Sequence, residues 1–279
     1  MGSVQFEFVR RLVYDRTAIV LEPNKEYLVQ ARLGPIARDV GIATVEALVG
    51  ELRRAPFGAM HARVVEAMTT NETSFFRDLG PFEALKNVVI PDLIRRRADT
   101  RRLAIWSAAS SSGQEIFSIA MTLRETFPEL AAGWRLTLLA TDFCNEMVER
   151  ARSGVFNQLE VNRGLPAPLM VKYFKRRGAD WEIREDLRRM IEFRQLNLND
   201  GWLIPDKLDV VFMRNVLIYF DVETKKRILA RLPRVMKPDG VLFLGAAETT
   251  LGLDPGFQPV EIGRSICYRL RDARATAAT

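Results

Sequence analysis

From about residue 80 onward, apolar strand-like runs alternate with amphipathic helical segments, and this alternation constrains the fold more than any other feature. The strand-like runs are RRLAIWSAA (101–109), RLTLLATD (135–142), LDVVFM (208–213) and VLFLGA (241–246). Further helices are expected near 145–152 and over 222–237. The pattern predicts an α/β domain with a doubly wound, Rossmann-like sheet. The CYRL run near the C-terminus is expected to pair antiparallel as a last edge strand.

The first of these helices is predicted in the segment SSSGQEIFSIAMTLRETF. Its apolar residues recur at helical spacing, which indicates one buried face. That face is formed by Ile116, Ile119, Ala120, Leu123 and Phe127.

Two parts of the chain depart from this alternation. Residues 1–77 show helical patterns only, such as a helix capped by Thr44, and predict an all-helical N-terminal domain with a linker. Residues 78–279 are then the catalytic domain. Within it, 171–196 contains the short strand-like segments WEIRED and MIEFRQL around polar turns, which predict a small antiparallel β subdomain inserted in the larger domain.

The composition excludes several kinds of chemistry. The single histidine, His61, lies in an apparently helical stretch and is interpreted as structural, so histidine acid–base catalysis is not expected. The only cysteines, Cys144 and Cys267, indicate neither a disulfide framework nor a metal site. No secretion signal or run of about 20 apolar residues is present, so a cytoplasmic protein without membrane insertion is expected. The net charge of +6 permits an acidic partner but does not identify one.

The turn WSAASSSGQE (106–115) lies where doubly wound sheets form their cofactor crevice. It has one glycine and lacks the G-x-G-x-x-G pattern that cradles a diphosphate, but small residues such as Ala108 still let a ligand approach the backbone. Two interpretations of Glu115 are open. With Ser112 it forms a capping-box pattern, or it accepts hydrogen bonds from a cationic ammonium group of a ligand.

Asp142 ends the next predicted strand, TLLATD. An acidic residue at this position is typical of a ribose-hydroxyl ligand, and the alternative is an N-cap for the following helix. A ribose-binding carboxylate without a diphosphate-binding loop indicates a cofactor that contains adenosine but no phosphate groups. S-adenosyl-L-methionine fits, and the KPDG turn followed by VLFLG is also common in methyltransferases of this architecture.

The run LDVVFM leads into Arg214, Asn215 and, four residues later, Tyr219. Catalytic groups favour the carboxyl ends of sheet strands. The prolines of the Asn/Asp-Pro-Pro-Tyr/Phe motif of amino-group methyltransferases are absent. Tyr219 is either a half-buried core tyrosine or an active-site residue. A glutamate acceptor has a pKa of about 4.3 and is already ionised at neutral pH, so a histidine-poor enzyme could methylate it without a general base.

Taken together, the motifs TTNETSFFRD, WSAASSSGQE, ATD, RSGVF, NL and RNVLIYF resemble the bacterial chemoreceptor glutamate methyltransferases (CheR-type), which are class I S-adenosylmethionine-dependent enzymes. The resemblance covers essentially the whole chain. It implies O-methylation of glutamate side chains on the cytoplasmic helices of chemoreceptors during sensory adaptation. The products are glutamyl methyl esters and S-adenosyl-L-homocysteine.

The resemblance also implies roles for individual residues. The pair beside the transferred methyl group would be Arg77 and Tyr219. Phe75 and Phe76 are expected to anchor the segment where the two domains meet. The cofactor contacts would come from Asn71, Thr73, Arg77, Ala108, Glu115, Asp142, Asn197, Leu198, Arg214 and Asn215.

The expected partner is the receptor's cytoplasmic helical bundle, bound by a monomer through the N-terminal domain. Candidate contacts to that acidic bundle are Arg32, Arg38, Arg53 and Arg54, although each alone fits a solvated helix face. Some family members bind a receptor C-terminal pentapeptide through a longer, Gly-rich loop in the β subdomain. The loop here is only KRRGADW, so independence from that tethering is expected. The alternatives are a nucleic-acid methyltransferase, disfavoured by the missing prolines, and a non-catalytic cofactor-binding receptor partner.

Overall fold

The computed structural model describes residues 2–204 and 206–271, and only the backbone at position 131. The chain divides into two compact units. One comprises the chain up to Thr70 together with Tyr219–Thr224, and the other comprises Asn71–Ile218 and the chain from Lys225 onward. No helix among the described residues is long and apolar enough to cross a membrane.

The first unit is helical, as the sequence predicts. Its helices are α1 (Ser3–Thr17), α2 (Glu26–Asp39), α3 (Val45–Arg54) and α4 (Ala59–Ala67). The hydroxyl of Thr44 accepts a hydrogen bond from the backbone N–H of Ala47 at 3.1 Å, which confirms the predicted cap of α3. The apolar side of α3 is buried in the core of this unit.

His61 has the structural role that the sequence predicts. Its Nδ1 accepts from the N–H of Gly58 at 3.2 Å, and its Nε2 lies 3.0 Å from the carbonyl of Leu52. These contacts tie the start of α4 to the end of α3. Both ring nitrogens are therefore engaged within the helical unit.

Arg32 differs from the expectation that it contacts a partner. Its guanidinium donates to the carbonyls of Met68 and Thr69, at 2.6 and 2.8 Å, and to the hydroxyl of Thr70 at 3.0 Å. Burial lowers the pKa of Arg32 from its ordinary value, while the nearby Tyr219 opposes that shift. Arg32 therefore holds the chain that leaves α4 rather than an external surface.

The second unit is built on a seven-stranded sheet with the order β6-β2-β1-β7-β8-β10-β9. Before its first strand come α5 (Gly80–Ala84), a π-helical turn (Leu85–Val89) and α6 (Ile90–Arg96). The first half of the sheet and its connections comprise β1 (Arg102–Ala108), α7 (Gln114–Thr126), a 3-10 turn (Pro128–Ala131), β2 (Arg135–Asp142) and α8 (Asn145–Ser153). The apolar stripe of α7 is buried against these strands, which confirms the predicted helix.

A small three-stranded sheet then follows, with the order β3-β5-β4. This part of the chain contains β3 (Val155–Phe156), α9 (Gln158–Asn162), α10 (Ala167–Tyr173), β4 (Phe174–Arg177), β5 (Asp180–Ile183) and α11 (Glu185–Arg188). All of its strand pairs are antiparallel, as predicted for the β subdomain.

The chain then returns to the main sheet. The remaining elements are β6 (Ile191–Gln195), β7 (Leu208–Met213), a 3-10 turn (Leu217–Tyr219), α12 (Val222–Leu229), α13 (Leu232–Val235), β8 (Met236–Leu244), β9 (Phe257–Ile262) and β10 (Ser265–Leu270). Strands β6, β2, β1, β7 and β8 pair in parallel with one another, whereas β10 pairs antiparallel with both β8 and β9.

Three expectations need correction. The strand in MIEFRQL does not belong to the small sheet, because β6 pairs in parallel with β2 at the edge of the main sheet. The helix expected over 222–237 is broken into α12 and α13. The KPDG turn is instead an irregular part of β8, where the pairing shifts from Leu208↔Met236 to Val210↔Val241.

The C-terminal strand is antiparallel, as predicted, but it is not the edge strand. β10 lies between β8 and β9, so β9 forms the edge. The segment that forms β9, FQPVEI, has a proline at position 259, which suits an edge strand because one side of its backbone needs no ladder partner.

Candidate functional site

The turn between β1 and α7 is tight and is fixed to the neighbouring strand β2. Ala108 ends β1 in register with Thr141, and the N–H of Ser110 donates to the carbonyl of Thr141 at 2.8 Å. Ala109 and Ser111 have φ angles of 56° and 51°, in the left-handed region that non-glycine residues seldom occupy. Such strain is typical of functional turns in which the surrounding structure fixes the backbone.

Glu115 is held by two side chains and does not form the capping box. Its Oε1 accepts from the hydroxyl of Ser107 at 2.8 Å, and its Oε2 accepts from Arg214 Nη1 at 2.9 Å. The N-cap of α7 is Gly113, with no side-chain cap, and Ser112 donates to Gln114 instead. The capping interpretation of Glu115 is therefore wrong. Its carboxylate belongs to the buried edge between β1 and β7.

Asp142 closes the same turn from the end of β2. Its Oδ2 accepts from the N–H of Ser111 at 2.8 Å, and its Oδ1 accepts from the N–H of Cys144 at 2.9 Å. Cys144 is the N-cap of α8, so Asp142 itself does not cap that helix. Both oxygens of the Asp142 carboxylate therefore accept from backbone N–H groups, which fixes the carboxylate at the end of β2.

Arg214, at the end of β7, joins the two halves of this edge. Its side chain is 1% exposed. Besides the bond to Glu115, its Nη2 donates to the carbonyl of Arg77 at 2.9 Å and to Asp78 Oδ2 at 2.7 Å. Its Nε is buried and has no hydrogen-bond partner among the described residues. Arg214 thus connects Glu115 to the segment that precedes α5.

That segment, 71–78, is fixed to the rest of the second unit at several points. The carbonyl of Asn71 accepts from the hydroxyl of Ser111 at 2.7 Å. The ring of Phe75 is fully buried and packs edge-on against Phe156 and Phe174, with centroids 5.1 and 5.7 Å apart. The N–H of Phe76 donates to the hydroxyl of Ser118 at 3.0 Å.

These contacts alter the expectation for the two phenylalanines. Phe75 joins the rings of β3 and β4 in the small sheet, and Phe76 packs on Phe82 with ring centroids 5.3 Å apart. Both anchors therefore lie within the second unit. The half-buried Thr73 lies in the same segment, which runs beside the turn that carries Ser111.

Arg77 is fixed through its backbone, while its side chain is only partly buried. Its Nη1 donates to the carbonyl of Glu72 at 2.9 Å. Tyr219 is half-buried, and its carbonyl accepts from the N–H of Val20 at 2.9 Å within the first unit. The juxtaposition of Arg77 and Tyr219 at the reacting atoms stays a prediction.

Asn197 and Leu198 lie in the loop that follows β6. The N–H of Leu196, directly before them, donates to the carbonyl of Asp142 at 2.9 Å, which places this loop beside the end of β2. Asn197 Oδ1 accepts from the N–H of Asn199 at 3.0 Å, and the carbonyl of Leu198 accepts from Trp202 Nε1 at 3.2 Å. The loop is therefore ordered next to Asp142.

The sequence predictions missed Glu248, which lies beyond the end of β8 and is 9% exposed. Its carboxylate accepts hydrogen bonds from the backbone N–H groups of the loop that contains Asn215. Glu248 also lines a cavity of about 280 Å³ together with Asp78, Arg214 and Arg264. The sequence signal was a lone carboxylate four residues after an apolar strand, in LFLGAAE.

The residues of this edge fit S-adenosylmethionine. Carboxylates such as Glu115 and Asp142 are suited to an ammonium group and to ribose hydroxyls. Arg214 Nε is a buried donor without an acceptor among the described residues, and it is complementary to a ligand carboxylate. The turn before α7 has neither the glycine pattern nor the lysine that a diphosphate site uses.

Comparison with known proteins identifies the family of this chain. The model of the CheR methyltransferase SAM binding domain matches residues 71–266, and the model of the CheR methyltransferase all-alpha domain matches residues 5–69. Chemotaxis protein methyltransferase Cher2 of Pseudomonas putida is 40% identical over 275 residues, which cover 97% of this chain and 99% of that protein. Chemotaxis protein methyltransferase of Escherichia coli is 34% identical over 262 residues, covering 92% and 88%.

Among solved structures, TrmN from Thermus thermophilus overlaps with a TM-score of 0.37 at 16% identity, covering 70% of this chain and 51% of that one. An overlap of this size says nothing about the site. The fold, the site and the family models together define an S-adenosylmethionine-binding methyltransferase. Within that class, the chain belongs to the CheR methyltransferase family.

Proposed function

We propose that this protein transfers a methyl group from S-adenosylmethionine to glutamate side chains on the cytoplasmic helices of chemoreceptors. The products would be glutamyl methyl esters and S-adenosylhomocysteine. The observation that carries the proposal is the match, over nearly their full length, to relatives named chemotaxis protein methyltransferases.

The arrangement of the site supports a carboxylate acceptor. S-adenosylmethionine, when bound, supplies a methyl group made electrophilic by the adjacent positive sulfur. A glutamate carboxylate is ionised at neutral pH, so the chain need not provide a general base, and the lone histidine is engaged elsewhere. The work left to the protein is to align the reacting groups and to exclude water.

We assign the cofactor contacts as follows. Asp142 binds the ribose hydroxyls from the end of β2, and Glu115 accepts from the ammonium group. Ala108 in the turn, Asn197 and Leu198 after β6, and Arg214 and Asn215 after β7 frame the adenine and methionine ends. Asn71, Thr73 and Arg77 cover the cofactor from the segment before α5.

Arg77 and Tyr219 are assigned to the acceptor. A guanidinium can orient a carboxylate through two parallel hydrogen bonds, and a tyrosine hydroxyl can hold the second oxygen. The backbone of Arg77 is fixed by Arg214, which leaves its partly buried side chain able to reorient. Tyr219 would line the path of the methyl group.

The receptor would dock on basic residues of the N-terminal helices. Arg38, Arg53 and Arg54 are exposed, and none forms an ion pair with a carboxylate among the described residues. Such positive side chains suit an acidic helical bundle. Charge reversal of Arg53 and Arg54 should raise the KM for the receptor and leave the KM for the cofactor unchanged. The matched control is Arg95→Glu, which reverses an exposed charge in the other unit.

We further propose that activity does not depend on a receptor C-terminal pentapeptide. The hairpin between β4 and β5 has only Gly178 and Ala179 between its strands, which offers little surface for an added peptide strand. Fluorescence titration with a receptor C-terminal pentapeptide should show no saturation in the low micromolar range. Saturable binding there would refute independence from tethering.

One labelling experiment tests the main proposal. The protein is incubated with methyl-labelled cofactor and receptor cytoplasmic fragments, and separately with nucleic acid. Label on the receptor that is released by mild base, as expected of a methyl ester, supports the proposal. Label on nucleic acid favours the alternative acceptor, and cofactor binding without transfer favours a sensor role.

A further inference from the structure

One buried carboxylate gathers an unusual number of backbone donors. Glu248 Oε2 accepts from the N–H groups of Asn215 and Gly245, at 2.7 and 2.6 Å. Its Oε1 accepts from the N–H groups of Val216 and Ile218, at 2.9 and 3.2 Å. Three of these four donors come from a single loop, 215–218, that directly follows the end of β7.

Loop 215–218 relies on a side-chain acceptor for its backbone donors. Asn215 has a φ of 58°, in the left-handed region, which asparagine adopts more readily than most non-glycine residues. The N–H groups of Asn215, Val216 and Ile218 donate to the Glu248 side chain. Bonds from N–H groups to a carboxylate are stronger than bonds between neutral groups.

The packing around Glu248 leaves little room for another arrangement. A Cβ on Gly245 would lie 2.7 Å from Asn215 Nδ2 and 2.8 Å from Glu248 Oε2. Only glycine therefore lets the end of β8 approach the loop this closely. On the other side, the hydroxyl of Tyr268 donates to the carbonyl of Glu248 at 3.4 Å.

We propose that Glu248 is a positioning residue for methyl transfer, which fixes loop 215–218 so that the groups it carries meet the reactants. The loop contains Asn215, assigned to the cofactor, and leads in the chain directly to Tyr219, assigned to the acceptor. Glu248 touches neither reactant and acts through the loop backbone. This inference rests on the proposed function, because it concerns the same reaction.

The substitution Glu248→Gln provides a sharp test because it keeps the shape of the side chain. An amide has one acceptor oxygen, and its NH₂ group would face backbone N–H donors that have lost their acceptor. Glu248→Asp keeps the carboxylate but shortens it by one methylene. The matched control is Glu261→Gln, which makes the same chemical change at an exposed position on β9.

The first readout is independent of activity. In the protein without added cofactor, hydrogen exchange of the amides of 215–218 should accelerate about tenfold or more in Glu248→Gln, because a buried donor has lost its acceptor. Exchange in β1 and β2 should not change. Unchanged exchange in the loop would overturn the anchoring role.

The second readout is methyl transfer to the receptor fragment. The kcat of Glu248→Gln should fall about 100-fold, as expected when reacting groups are misplaced by about 1 Å. Cofactor affinity should fall much less, because Glu115 on α7 and Asp142 on β2 lie outside the loop. Faster exchange with normal kcat would show that Glu248 is only structural.

Failure of the variant to fold and failure of the proposed function can be distinguished from failure of this inference. If Glu248→Gln does not fold, Glu248→Asp carries the same comparison, with a smaller loss in kcat. If the wild-type protein transfers no methyl group to any receptor, the proposed function fails. The exchange measurement then still decides whether Glu248 fixes the loop.

Discussion

Arg214 Nη1 lies 2.9 Å from Glu115 Oε2, and this buried ion pair ties the end of β7 to the start of α7. The same guanidinium binds the carbonyl of Arg77 and the carboxylate of Asp78. One side chain thus sets the relative positions of the segment before α5, the turn after β1 and the loop after β7. These are the elements to which the cofactor and acceptor groups are assigned.

Removal of this guanidinium should be costly. Arg214→Ala leaves the buried carboxylate of Glu115 without its cation, and breaking a buried pair in this way costs about 3 to 5 kcal/mol. Urea unfolding should show that loss, with an intermediate value for Arg214→Lys. Arg264→Ala, a nearby exposed control, should change stability by less than about 0.5 kcal/mol. Equal stability of Arg214→Ala and wild type would contradict the central role of the pair.

Arg77→Ala should separate activity from stability. The Arg214 bond uses the backbone of Arg77, so it survives the substitution, and the free energy of unfolding should change by less than about 0.5 kcal/mol. Methyl transfer should fall at least about 100-fold, because the group that aligns the acceptor is lost. Kinetics with a receptor fragment and a thermal melt measure the two effects. Near-normal turnover would remove Arg77 from the acceptor site.

Gly164→Ala tests the close contact between Gly164 and the backbone of Phe75, which holds the segment 71–78 in the second unit. Gly164 has a φ of 87°, and a Cβ there would lie 2.1 Å from the carbonyl oxygen of Phe75, so the backbone must shift. We expect a loss of about 2 to 3 kcal/mol in unfolding free energy together with reduced transfer.

The control for this prediction is Gly178→Ala. Gly178 also has a positive φ, 62°, but a Cβ there would have nothing within 4 Å. Gly178→Ala should lower the free energy of unfolding by only about 1 kcal/mol, which is the cost of the left-handed backbone conformation for alanine. Methyl transfer should stay normal. Equal effects of the two substitutions would show that the contact with Phe75 contributes nothing.

Low pH should reduce the stabilising effect of the charged cluster formed by Asp239, Arg97 and Arg96 at the amino edge of the main sheet. Burial disfavours the ionised form of Asp239, but the hydrogen bond and charge of Arg97 and the charge of Arg96 outweigh it and hold the pKa of Asp239 below its ordinary value. Because the pKa of Asp239 is lower in the folded protein than the unfolded value of about 3.9, its carboxylate adds to the free energy of unfolding above that pH. This contribution is lost as the pH falls through the folded-state pKa.

Urea unfolding at several pH values between 7 and 3 tests this contribution. Wild type should lose more stability than Asp239→Asn as the pH falls below about 4, because the variant has no carboxylate to protonate at that position. Parallel pH profiles for the two proteins would refute the contribution of Asp239.

Several elements could be predicted because their patterns are local. The buried stripe of α7, the cap at Thr44 and the strand runs at 101–109 and 135–142 each depend on residues close in sequence. The strand at 191–195 was assigned to the wrong sheet because a short apolar run does not specify its partner. Pairing depends on how the chain returns after the small sheet, which no local pattern records.

In the site, too, local motifs could be recognised from the sequence, whereas long-range contacts could not. Motif order and spacing identified the family and placed Asp142 and Arg214 at strand ends and Glu115 at the start of the helix after β1. The α/β alternation brings these positions to one edge of the sheet. The role of Glu115 could not be chosen from the sequence, since Ser112 and Glu115 also satisfy a capping pattern. Its actual partner, Arg214, is 99 positions away in the chain.

By itself, the sequence determined the α/β class, the helical N-terminal part and the family, since these follow from periodicity and from motifs read along the chain. Only the tertiary structure decided which carboxylate pairs with which donor. Glu248 is the clearest case, because its loop partners begin 33 positions earlier and are backbone N–H groups, which every residue except proline carries. Long-range contacts to the backbone leave no signature in side-chain identity, and so they appear only when the chain is folded.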